Sequence, residues 1–202
     1  MPHPSADLIP ILYKRYAKAW QKLRLESEFV EQTWLDRFLK LIPANGTILD
    51  LGCGTGQPIA EYCIAQGFSI YGIDQVKPFI KRAQKQFPDQ TWQLADICEV
   101  ELSTQFDAII AWDSLFHLPQ AKQLALFSKL SQWAKPNAPL LFTSGHENGE
   151  AIGDFNGHPL YHASLSENEY RQTLIQQQFG LLQYQLQDPN CGYRSVWLAK
   201  RR

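Results

Sequence analysis

Ile9, Leu12, Tyr16, Ala19, Trp20 and Leu23 recur at spacings of three and four, while Lys14, Arg15, Lys18 and Lys22 hold the other sides. That period predicts an amphipathic helix over 7–24. Phe29, Trp34, Phe38 and Leu41 predict a second helix, closed by Pro43, Asn45 and Gly46. From there the pattern alternates. "TILDL" reads as a strand and 55–66 as a helix; "SIYGI" and 76–86 repeat the pair. "TWQLA" and "FDAIIA" are strands, 119–133 is a helix opened by Pro119, and "APLLFTS" is the next strand. Strands alternating with helices in this way predict a parallel sheet with helices on both faces. The last part differs. Ser166 and Glu169 form a Ser-x-x-Glu capping box that starts a helix reaching about Phe179. "LLQYQLQ" and "YRSVWLA", joined by "DPNCG", are too close for a crossover and predict an antiparallel hairpin at a sheet edge.

Composition narrows the class. At 202 residues, 45% hydrophobic and 19% charged, the chain suits one globular domain with a sizeable core. A net charge of −1 gives no global field for nucleic acid or a membrane surface, so neither partner is expected. No stretch approaches the roughly 20 apolar residues that span a bilayer. "MPHPSADLIP" has no charged region followed by an apolar one, so no signal peptide is expected. Cysteines at 53, 63, 98 and 191 form no Cys-x-x-Cys pair, which points to buried thiols and a cytoplasmic protein. His158 and His162 stand four apart, but Pro159 between them argues against a helical metal face, and no metal is expected.

The chemistry gathers at "ILDLGCGTGQPIA". Gly52, Gly54 and Gly56 follow a strand and precede a helix, with Asp50 just before them. Such a loop presents backbone N–H groups at the carboxyl end of a sheet, where these folds bind ligands. A dinucleotide fingerprint fails, because the sixth position is Gln57 from Gly52 and Ile59 from Gly54; the phosphate loop fails for want of Gly-Lys-Ser/Thr. Asp74 ends the second strand, where a carboxylate accepts hydrogen bonds from both hydroxyls of a ribose or caps the next helix near Val76. Asp96 and Ile97 follow the third strand, beside the place of an adenine edge.

"ILDLGCGTG", "YGID", "LADI" and "FDAIIAWDSLFHLP", in that order, resemble class I S-adenosylmethionine-dependent methyltransferases, and more narrowly a group of small bacterial ones. The resemblance covers about residues 45–200. It implies a Rossmann-like α/β domain: a seven-stranded, mostly parallel sheet with one antiparallel strand, helices on both faces and N-terminal cap helices. It divides the chain into cap helices (1–44), a cofactor-binding core (45–145), a lid-like insertion (146–165) and a closing helix and hairpin (166–202). By similarity S-adenosylmethionine is the cofactor. Asp50, Gly52, Cys53, Gly54 and Gly56 would border its methionine and ribose parts. Asp74 would hold the ribose hydroxyls, with Gln75 also binding the cofactor; Asp96 and the Ile97 amide would read the adenine, and Trp112 would lie alongside.

The acceptor is less defined. Ala111, Trp112, Asp113 and Ser114 replace the Asn/Asp-Pro-Pro-Tyr/Phe segment of the adenine- and glutamine-methylating branch. "YKRYAKAWQKLR" reads better as a solvated face than as an RNA-binding stripe, so a small-molecule methyl acceptor is expected. Asp113 and His117 are the candidates for removing its proton. Tyr16 and Trp20 on the first helix, and His146, Tyr161 and His162 in the insertion, are candidates for touching it. Gly149, Gly153 and Gly157 suggest that the insertion is a mobile lid. The alternative reading is a non-catalytic protein that keeps the cofactor site. The sequence leaves oligomeric state open.

Overall fold

The computed structural model describes residues 2–202. Its main sheet has seven strands: β1 (Thr47–Leu51), β2 (Ser69–Asp74), β3 (Thr91–Leu94), β4 (Ala108–Ala111), β5 (Pro139–Ser144), β8 (Phe179–Asp188) and β9 (Arg194–Arg201). They lie in the order β3-β2-β1-β4-β5-β9-β8. β1 to β5 pair in parallel, while β9 runs antiparallel to both β5 and β8. β9 is therefore the one reversed strand, as expected, and it lies inside the sheet, with β8 as the edge. Strand order turns back between β1 and β4, which opens a crevice at their carboxyl ends.

The central strands are apolar because both faces are covered. Ala108–Ala111 and Pro139–Ser144 are buried throughout. On one face α6 (Gln120–Trp133) and α7 (Glu167–Gln176) pack Leu126, Phe127, Leu130, Tyr170 and Leu174 against Leu49, Ile109 and Phe142. On the other, α3 (Gln32–Leu39), α4 (Ile59–Ala65) and α5 (Lys77–Gln86) bring Trp34, Leu35, Phe38, Cys63 and Ile80 onto Ile48, Ile110 and Leu141. Fully burying a large apolar side chain is worth about 1.5–3 kcal/mol, so these two layers dominate stability. The Ser166–Glu169 capping box starts α7 as the sequence predicts.

The helix expected over 55–66 begins only at Ile59 and the one expected to reach Phe179 ends at Gln176, and two regions depart further from expectation. The helix over 7–24 is in fact a 3₁₀ turn (Pro4–Leu8), α1 (Ile9–Arg15) and α2 (Ala17–Glu26). Tyr16, at φ −105° and ψ 22°, breaks the helical run. A three-to-four period is the same on both sides of such a break, so it does not reveal one. The insertion is a separate antiparallel pair, β6 (Gly149–Phe155) and β7 (His158–Ser164). Asn156 and Gly157 both have positive φ, 53° and 76°, as a two-residue type I′ hairpin turn requires.

This hairpin is fastened on two sides. Tyr161 and Ala163 pack with Ala6 and Ile9 of the N-terminal segment, and Tyr16 Oη lies 2.6 Å from His158 Nε2. Behind it, the buried Gln123 amide donates to the carbonyls of Leu118 and Ala163 at 2.8 Å and accepts from Tyr170 Oη at 2.7 Å. Three of its polar contacts are made, so burying that amide carries no unpaired cost. Helices and hairpin thus form one roof over the crevice.

Candidate active site

Beneath the roof lies a cavity of about 730 Å³, within the usual range for small-molecule sites. Its floor carries Asp50, Gly52, Cys53, Gly54, Asp74, Gln75, Asp96, Ile97 and Trp112. Its other end carries Asp113, His117, His162 and Arg194, and the roof adds Tyr13 and Trp20.

The glycine loop works differently from the expected cradle of free amides. Gly52 and Cys53 donate to the Ile73 carbonyl at 2.8 and 3.1 Å, and Gly56 donates to the Cys53 carbonyl at 2.9 Å. The Gly54 amide donates to Asp74 Oδ2 at 2.9 Å. The turn satisfies itself, and its glycines create space instead. A Cβ on Gly54 would stand 2.9 Å from the Trp20 ring, and one on Gly52 would stand 2.5 Å from Ser114 Cβ. Gly56 is corrected: it does not line the cavity, and its added Cβ would meet Trp92 and Phe87 at 2.9 and 3.1 Å. That glycine serves packing beneath the loop.

Asp74 makes the local turn contact that the sequence offered, and it also faces the cavity. Its Oδ1 accepts from the Val76 amide at 2.8 Å at the start of α5. Burial raises its carboxyl to about 6, against hydrogen bonds from Val76, Gly54 and Gln75 that lower it. Asp50 is raised further, to about 7, by burial and then by the Asp74 charge. Two carboxylates held this way favour a ligand bearing positive charge or hydroxyl donors. Trp112 Nε1, buried in the wall, has no hydrogen-bond partner among the described residues. A buried donor left open costs about 1–3 kcal/mol, and a ligand acceptor would satisfy it.

At the other end Asp113 is corrected as a free base. Arg194 donates from Nε to both of its oxygens at 2.9 Å and from Nη2 to Oδ2 at 2.8 Å. Asp113 itself has φ 49°, an uncommon conformation for a residue other than glycine, and its amide donates to Thr143 Oγ1 at 2.8 Å. The clamp holds its carboxylate in one orientation. His117 is held between two partners: Nδ1 lies 2.9 Å from the Tyr161 carbonyl and Nε2 lies 2.9 Å from Tyr13 Oη. A carbonyl only accepts, so Nδ1 carries the proton and Nε2 accepts from Tyr13. Burial lowers the imidazole to about 4, so it is neutral near pH 7. Burial first, and then the charges of Asp113 and Asp74, push the Tyr13 phenol up.

Of the acceptor candidates, Trp20 and His162 line the cavity. The His162 ring lies 5.0 Å from that of His117. Three others face elsewhere. Tyr161 is fully buried and donates to Glu150 Oε1 at 2.7 Å, so only its carbonyl serves the site. Tyr16 is taken up by His158, and His146 lies exposed, 3.6 Å from Glu147. Sequence reasoning missed Tyr13 and Arg194, which reach the site across 104 and 81 residues of chain. It also read Gly157 as flexibility, although Asn156-Gly157 is a recognised hairpin signal.

The fold and crevice define a class I methyltransferase architecture, and comparison with known proteins agrees. A methyltransferase-domain family matches residues 20–179, and the chain belongs to it. YqeM of Bacillus subtilis (strain 168) is 30% identical over 139 residues, which is 65% of this chain and 55% of that protein. An O-methyltransferase of Pyrenophora dematioidea is 27% identical over 76% of this chain and 61% of that one. The chain thus spans between about a third and three fifths of the curated relatives it matches. In structure it resembles magnesium protoporphyrin IX methyltransferase from Synechocystis PCC 6803 with bound SAM, with a TM-score of 0.74 and 17% identity over 100% of this chain and 99% of that one. Among the described residues, no helix is long and apolar enough to cross a membrane.

Proposed function

We propose that this chain transfers a methyl group from S-adenosylmethionine to a small-molecule acceptor. One observation carries the reading: a single cavity joins the Asp50–Asp74 floor to the Tyr13–His117 pair. The residues fit the cofactor, since two raised carboxyls and the open Trp112 N–H suit a cationic, hydroxyl-bearing nucleoside. Asp50, Gly52, Cys53, Gly54, Asp74, Gln75, Asp96, Ile97 and Trp112 would hold it. Bound there, it supplies a methyl group on a positively charged sulfur.

The chain's own residues orient the acceptor and exclude water. Holding two reactants in line is worth up to roughly 7–11 kcal/mol. An acceptor hydroxyl beside Tyr13 passes its proton to the phenol oxygen as the phenol's own proton moves to His117 Nε2. His117 is weakly basic, which suffices, because an oxygen gaining a methyl group becomes a strong acid. Asp113, clamped by Arg194, faces the imidazolium so formed and stabilises it. His162 and Trp20 shape the acceptor space.

Support for a small acceptor comes from the roof, which covers part of the crevice, and from structural neighbours such as an amino pentose methyltransferase with a TM-score of 0.71 and 15% identity. That support does not extend to nucleic acid. Four free cysteines accord with a cytoplasmic location. An acceptor screen that detects S-adenosylhomocysteine release tests the activity. Calorimetry with S-adenosylmethionine, S-adenosylhomocysteine and NAD tests the site; tighter binding of NAD than of S-adenosylmethionine would end this reading.

A further inference from the structure

The cavity wall holds an arginine whose donors are mostly unspent. Arg24 lies in the last turn of α2 and lines the cavity, with its side chain 15% exposed. Its Nη2 bonds Oε1 of Glu31, a carboxylate with no exposed surface. Among the described residues no acceptor meets its Nε or Nη1. Arg194, on the same wall, is by contrast spent on Asp113 and the Cys191 carbonyl. Lys122 also lines the cavity, but on α6, close to Cys98.

Burying an arginine–glutamate pair is a poor way to gain stability, because desolvating the charges offsets much of their attraction. What the pair does provide is orientation. Glu31 pins one edge of the guanidinium and leaves the other donors to the cavity, and a planar fork of this kind matches a carboxylate. The wall also has polarity. Asp50 and Asp74 occupy the floor by the glycine loop, whereas Arg24 and Arg194 come from the roof and β9. A ligand carrying an ammonium and a carboxylate complements both.

We infer that Arg24 is a carboxylate-binding residue of this site, held in position by Glu31. The carboxylate comes either from the amino-acid tail of the cofactor or from the acceptor. This inference rests on the methyltransferase reading above, and its test separates the two.

The experiment is calorimetry on the parent protein, Arg24→Gln and the double variant Arg24→Gln/Glu31→Gln. The double variant removes both charges together, so no buried glutamate is left unpaired. Melting temperature and binding of 5′-methylthioadenosine, which has no amino-acid tail, establish that each variant is folded. S-adenosylhomocysteine should bind at least tenfold more weakly to the variants, while its decarboxylated analogue changes less than twofold. That result assigns the carboxylate to the cofactor. Unchanged S-adenosylhomocysteine binding with loss of benzoate binding assigns it to the acceptor. If the folded variants match the parent with both probes, the inference fails. If the parent itself binds no S-adenosylhomocysteine, the methyltransferase reading fails, and benzoate alone then decides for or against Arg24.

Discussion

Arg194 grips both carboxylate oxygens of Asp113, joining the loop after β4 to the start of β9 at 2.8–2.9 Å. Lysine has no equivalent fork, so Arg194→Lys is not conservative here. We expect that substitution to lower turnover at least tenfold while S-adenosylmethionine affinity stays within a few-fold. Equal loss of turnover and binding would mean that the pair supports the cofactor floor.

The same clamp separates the roles of Asp113 and His117. Asp113→Asn should slow the reaction without changing the shape of its pH–rate profile. His117→Gln should cost about 10²–10⁴-fold, the usual range for a lost base, and remove the acidic limb. Tyr13→Phe should behave like His117→Gln. An acidic limb that persists in both would leave positioning as the whole contribution.

Affinity for the cofactor should depend on pH. Burial and the Asp74 charge raise Asp50 to about 7, and burial raises Asp74 to about 6. Both folded values exceed the ordinary 3.8. The stability these groups contribute is therefore fully present below about pH 4 and is lost as pH rises through 6 and 7. A cationic ligand favours the ionised forms, so binding releases protons and tightens from about pH 5 to about pH 8. Calorimetry in buffers of different ionisation enthalpy measures that release. Asp50→Asn should raise the melting temperature at about pH 8 and do less at about pH 5.

Asp74→Ala combines two losses. Its hydrogen bonds to a ligand are worth about 1.5–3 kcal/mol, which predicts roughly 10- to 150-fold weaker binding. It also releases the amides of Gly54 and Val76, so denaturant unfolding at about pH 5, where burial of an ionised carboxylate costs least, should show a less stable protein. A variant as stable as the parent would contradict the observed bonding.

Trp20 and Gly54 should couple. An alanine at 54 needs φ +56° and places its Cβ 2.9 Å from the indole, so Gly54→Ala displaces the roof. Trp20→Ala removes that obstacle but not the backbone strain. The double variant should recover part of the lost affinity, a coupling within the 0.5–3 kcal/mol seen for residues in contact. Strict additivity would show that the two do not meet in solution.

Local signals carried much of this. "TILDL" is β1 residue for residue, and Ser166-x-x-Glu169 caps α7. Asp74 was legible because a strand end followed by a helix start fixes where its carboxylate points. Tyr13, Arg24 and Arg194 were not, since each matters through partners that no local period encodes. Tyr13 sits among the apolar residues of the first helix and looks like packing until the turn after β4 brings His117 to its hydroxyl and the hairpin's Tyr161 carbonyl orients that ring. Gly56 misled for the opposite reason: its positive φ of 80° was real, but the close neighbours are Phe87 and Trp92.

The position of β9 sets an order on assembly. β8 emerges first, yet it is β9 that pairs with β5, so the β8–β9 hairpin joins the sheet only through its second strand. β5 and β9 are about 55 residues apart in register, and pairings over such separations close late. During synthesis, then, the floor of the crevice precedes its completion. Asp113 has no counter-ion until β9 docks and delivers Arg194. The charge balance of the site is thus completed last: a chain whose β9 has not docked leaves Asp113 without its arginine.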